Sequence, residues 1–168
     1  MRSFFSKFFG KPQSPGPAPE TLSPLDYDQL VLLDAEDLAE LGIGSAYNEL
    51  IPLLQRFVES PTQIEEAIDP DSERYAVRVR GLERLVYGPE LPGSDRQSWG
   101  RATYVLFELV NEQLEAAPVR FYAINGGNDL GGMFLTPSQV QEAQLKLARK
   151  SDWPYIPELA EPWWGQHH

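Results

Sequence analysis

The stretch Asn125-Gly-Gly-Asn-Asp-Leu-Gly-Gly132 holds the densest set of residues suited to chemistry in this chain. Its glycines allow positive φ and close backbone approach, and successive N–H groups in such a loop can cradle an anion. The loop lacks the Gly-Lys-Ser/Thr ending of a phosphate-binding P-loop. It leads toward a strand and not into a helix, unlike a dinucleotide fingerprint. Asp129 is its one carboxylate, with no distal Glu at the spacing of a calcium loop. The plainest expectation is a hairpin connection whose Asn and Gly residues satisfy the turn. Two sharper readings stand beside it. One is a partner-contacting loop through Asn128 and Asp129. The other is a small-ligand or phosphate site made of Asn125, Gly126 and Gly127 with Arg78 and Arg80.

Guanidinium groups at Arg74, Arg78 and Arg80 recur at every second or fourth position and should leave one face of a strand, with Arg84 close on the next. Such a cluster binds phosphate or carboxylate bidentately, but the chain's own acids are competing counter-ions. Carboxylate pairs are frequent: Glu36 and Asp37, Glu65 and Glu66, Asp69 and Asp71. Acid–base hydrolysis needs a cleft and unequal environments, whereas these read as solvated helix faces and loop tips. The chain has no cysteine, and its two histidines, His167 and His168, stand at the extreme C-terminus as native residues or the stub of a tag. Thiolate chemistry, Ser–His and Cys–His catalysis, and a core zinc site are therefore absent from the expectations. No cofactor is expected.

The charge is unevenly spread. Of a net −11, residues 20 to 73 contribute 14 acids against the single base Arg56, while residues 1 to 19 are +3. An acidic block repels nucleic acid and anionic lipid and draws a basic partner. Phe4, Phe5, Phe8 and Phe9 form a short stripe beside Lys7, a weak basis for membrane contact by residues 1 to 11. The stretch is too short and interrupted for a signal peptide or a membrane span, so a cytoplasmic location is expected.

The elements that position these groups follow from period and punctuation. Residues 1 to 23 read as a basic leader and a Pro-rich linker, and residues 24 to 168 as a single α+β domain. Ser23-Pro24 signals a helix start over 24 to 41, as one helix or two with Asp34 capping the second. Ser45 should cap a helix to about Val58, bent at Pro52. Alternation predicts strands at 74 to 80 and 82 to 87, then at 119 to 124 and 132 to 135. Ser94 to Gln97 reads as a capping box for a central buried helix to about Ala116. Thr136 to Gln139 reads as another, for a helix to Lys150. Trp153, Trp163 and Trp164, stiffened by Pro154, Pro157 and Pro162, should form an aromatic strap, packed on the core or exposed as a binding patch.

Together these features predict one small, mostly antiparallel sheet covered by helices, with an N-terminal acidic helical section. The functional expectation is a non-enzymatic domain that binds or inhibits a basic protein. Its most concrete form is a bacterial immunity protein neutralising a toxin. Asp34, Glu36, Asp37, Glu40 and Glu49 would be the electrostatic face, Asn128 and Asp129 a second contact, and Trp163 and Trp164 the aromatic one. The competing expectation is the ligand-binding loop with its arginines.

Overall fold

The computed structural model describes residues 23–168; the leader and most of the linker lie outside the described residues. The architecture is α+β, with two small antiparallel three-stranded sheets where one was expected. In the first sheet β1 (Val31–Leu32), β6 (Gly131–Leu135) and β5 (Arg120–Ile124) run in that order. The second comprises β2 (Ile64–Asp69), β3 (Arg74–Val79) and β4 (Leu82–Tyr87), joined as consecutive hairpins. Four helices accompany them: α1 (Ala35–Glu40), α2 (Gly44–Leu54), α3 (Ser98–Gln113) and α4 (Pro137–Lys146).

Alternation explains why the first sheet is buried on both sides. Phe121 and Ala123 of β5 face the main core with α3, where the Phe107 and Phe121 rings stack at 4.6 Å. Ile124, Met133 and Leu135 face the opposite way, into a second cluster with Leu25, Val140 and Ala143 beneath α4. The second sheet buries chiefly one face. Tyr75, Val77 and Val79 turn inward, while Arg78 and Glu83 pair on the outer face. As expected, α3 is central: Ala102, Val105, Leu106, Phe107, Leu109 and Val110 are buried, and the helix touches both β4 and β5. Arg120 closes its C-terminal end by donating to the carbonyls of Leu114, Ala117 and Glu115.

Several local expectations are corrected. The helix expected over 24 to 41 is a short 3-10 turn at Tyr27–Gln29, the strand β1 and the six-residue α1. Asp26 caps the turn, while Ser23 only accepts a hydrogen bond from Leu25 N–H. Val31 and Leu32 are drawn into pairing with Gly132 and Gly131, and Asp34 caps α1 as expected. Ser45 does not cap α2, which begins at Gly44 and ends at Leu54 with Pro52 inside its last turn. Ser94 opens a 3-10 turn, its buried hydroxyl bonded to Gly88 N–H, and Gln97, with no side-chain cap bond, stands at the N-cap of α3. The Thr136–Gln139 capping box is present, but α4 stops at Lys146, so Arg149 and Lys150 do not complement its dipole. Glu65, Glu66 and Asp69 belong to the unforeseen strand β2, not to helix faces.

Candidate functional site

Arg74 bridges Glu83 and Glu90, and Arg78 bridges Glu83 and Glu65. Arg80 donates to Thr62 Oγ1 at 2.8 Å. Arg84 is the register partner of Val77, so it leaves the opposite face from Arg78 and pairs with Glu108 and Glu112 of α3. It does not join the other arginines, contrary to expectation. The Arg74 guanidinium holds the carboxyls of Glu83 and Glu90 below their usual range, first through its hydrogen bonds. Arg74, Arg78 and Arg84 are thus committed to acids of the same chain, and Arg80 to a hydroxyl.

The glycine-rich loop is the β5–β6 connection, a hairpin as expected, with a 3-10 turn at Gly127–Asp129. Two of its glycines have a packing reason. A Cβ at Gly132 would lie 2.1 Å from Phe121 Cζ, and one at Gly131 would lie 2.6 Å from Leu30 Cδ1. Both sit in β6, where only a missing side chain lets those groups close in. The remaining pair, Gly126 and Gly127, reaches a groove of about 380 Å³. Asn125 adopts φ 57°, a left-handed conformation that Asn tolerates, and its carbonyl accepts the Tyr155 hydroxyl at 2.7 Å.

The C-terminal strap forms the other wall of this groove. Tyr155 exchanges two backbone hydrogen bonds with Ala123, adding a bridge to the outer edge of β5. Burial pushes the Tyr155 hydroxyl up to about 12, so it remains a donor throughout the physiological range. Trp164 lays its indole on Gly100, where a Cβ would come within 2.2 Å of the ring. The backbone returns so that Glu158 N–H donates to Trp164 O at 2.9 Å. Trp163 stays 55% exposed, with the His168 ring against it, while His167 meets Trp153 edge-on. The strap is thus both packed and exposed: Trp164 and Trp153 lie against the fold and Trp163 faces outward.

α1 borders the same groove through Ala35. Asp34 accepts the Glu36 and Asp37 N–H groups at 2.8 and 3.3 Å, and the three acids complement the positive end of the helix. Asn128 donates to Glu36 at 3.0 Å, joining the loop to α1. Glu40 is different. It is the last residue of α1, where the helix dipole is negative, and no basic residue occupies that turn. Its charge, after burial, contributes to raising the Tyr87 hydroxyl. Asp34, Glu36, Asp37 and Glu40 are in no ion pair among the described residues.

The fold therefore gathers Gly126, Gly127, Trp163 and Trp164 on one groove bordered by α1 through Ala35, while Asn128 opens onto the neighbouring depression and reaches Glu36. Glu49 stands apart, exposed on α2, and Asp129 opens onto a shallow depression with Arg149 and Asp152. Arg78 and Arg80 do not line the groove. Trp99, Gly100, Thr103, Tyr155 and Gln166 also line it and were not foreseen. The signal that could have found them is Gly100, a glycine inside a helical pattern directly after Trp99.

Comparison with known proteins adds no relative: no family model, no curated protein and no solved structure matches this chain. Among the described residues, no helix is long and apolar enough to cross a membrane.

Proposed function

We propose that the chain is a non-enzymatic binding domain that captures a basic protein partner on α1 and the adjoining aromatic groove. The observation that carries this reading is Glu40. An acid at the negative end of a helix costs roughly 0.3–1 kcal/mol, and here no cation of the described fold offsets it. A charge that weakens its own helix and stays unpaired, next to three further acids, is suited to a cation supplied from outside. The groove that meets α1 at Ala35 adds an aromatic group to which a guanidinium or ammonium is also drawn, the half-exposed indole of Trp163. Neutralisation of a basic toxin by an immunity protein is the most concrete form of this activity.

The test is a fluorescence titration of the full chain with an oligo-arginine peptide, read from the indoles. Saturable quenching is expected, weakened about ten-fold in Trp163→Ala and weakened again as salt rises. Equal affinity for the variant, or no salt dependence, removes the groove and the charge from the account respectively.

The groove volume itself supports a second reading, a small ligand held between Tyr155, Trp99 and the Gly126–Gly127 backbone. That ligand would lack Arg78 and Arg80 as partners. A thermal-shift screen against nucleotides and sugar phosphates distinguishes the readings, because a bound ligand raises the apparent midpoint.

A further inference from the structure

The sheet edges are treated unequally. The outer edge of β5 receives the strap through the Ala123–Tyr155 bridge, and that of β4 receives the Arg101 guanidinium, which donates to Val86 O at 2.5 Å and Leu85 O at 3.2 Å. The strand β1 is two residues long. That leaves β2, six residues paired with β3 on one side and with no strand among the described residues on the other. An edge of this length presents unpaired N–H and C=O groups to any extended chain of suitable charge.

Its side chains select that chain. Glu65, Ala67 and Asp69 leave one face and Ile64, Glu66 and Ile68 the other, all but Ile64 exposed. The Glu66 carboxylate accepts the hydroxyl of buried Tyr75, which itself accepts Ile43 N–H at 2.8 Å, so the acid is held in place. Ile68 rests beside Gly42, where a Cβ would lie 3.1 Å from Ile68 Cδ1. Leu41, 73% exposed, precedes that glycine, and Glu40 precedes Leu41. Ile68 therefore shares its face with Glu66, with Leu41 and Glu40 leading into the glycine it rests beside, while Glu65 and Asp69 line the opposite face. These acids repel a second copy of the same strand and attract a cationic one.

We infer that the free edge of β2 takes an extended, lysine- or arginine-bearing strand of a protein partner. Main-chain hydrogen bonds would hold it, an apolar side chain would rest on Ile68 on one face, and cationic ones would reach Glu65 and Asp69 on the other. The inference rests on the reading of the partner as basic, and it names the mode of capture.

The probe is an acetylated, amidated octapeptide of alternating lysine and valine, added to the full-length chain. Amide hydrogen exchange followed by NMR is expected to slow at alternate positions of Ile64–Asp69, with β4 amides unchanged. The same peptide N-methylated at every residue keeps its charge and loses its backbone donors on both edges. Its affinity should fall at least ten-fold. Equal binding of the methylated peptide, or binding without protection in β2, overturns the edge site. If β2 stays unprotected while Trp163→Ala still weakens oligo-arginine binding, the edge inference fails and the acidic-groove reading stands. If neither effect appears, both fail.

Discussion

The outer face of β3–β4 and the surface of α1 are both strongly charged, and they handle charge in opposite ways. On the sheet, Arg74 and Arg78 interleave with Glu83, Glu90 and Glu65, so each cation answers an acid of the same fold. On α1, Asp34, Glu36, Asp37 and Glu40 follow one another with no ion pair among the described residues, and Glu40 opposes its own helix dipole. Charge that is neutralised locally describes the fold. Charge left unmatched is available to something else. Arg74 and Arg78, conspicuous in the sequence, are the first kind, and the short acidic helix is the second.

Removing the support of α1 should break the comparison most severely. Leu38 is buried under the helix, and Leu38→Ala is expected to cost about 2–5 kcal/mol, measured by chemical denaturation. A cost below about 1 kcal/mol would mean that α1 is loosely held and its acids form no fixed surface.

The paired region should respond to acid. Glu83 and Glu90 titrate below their ordinary values in the folded state because Arg74 holds their charged forms. Depressed carboxyls contribute stability that is present above the unfolded value, about 4.3, and is lost as pH falls through the folded ones. The thermal midpoint is therefore expected to drop between about pH 5 and pH 3, with a shallower drop in Arg74→Met. Parallel curves for the two proteins would show that the pairs carry no linkage.

Legibility in the sequence tracked the same division between local and distant causes. β3 to β6, α3 and the α4 capping box were readable because alternation and capping are encoded within a few residues. β2 was not: Ile-Glu-Glu-Ala-Ile-Asp has little intrinsic strand preference, and its pairing with β3 supplies the missing stabilisation. β1 was hidden inside a helical pattern for the same reason, being fixed by its partners Gly131 and Gly132 a hundred residues on. The loop was legible as a hairpin, whereas the packing of Gly132 on Phe121 and of Trp164 on Gly100 depends on contacts between distant segments. The convergence of loop, strap and α1 on one groove follows from those contacts.

Glu40→Lys gives the smallest shift in stability and the most direct test of the central claim. The substitution places a cation at the negative end of α1, so the protein is expected to gain about 0.3–1 kcal/mol in denaturation while its association with the oligo-arginine peptide slows at low salt. A variant that is destabilised, or that associates as fast as the parent chain, would contradict the claim that this charge is kept for a cationic partner.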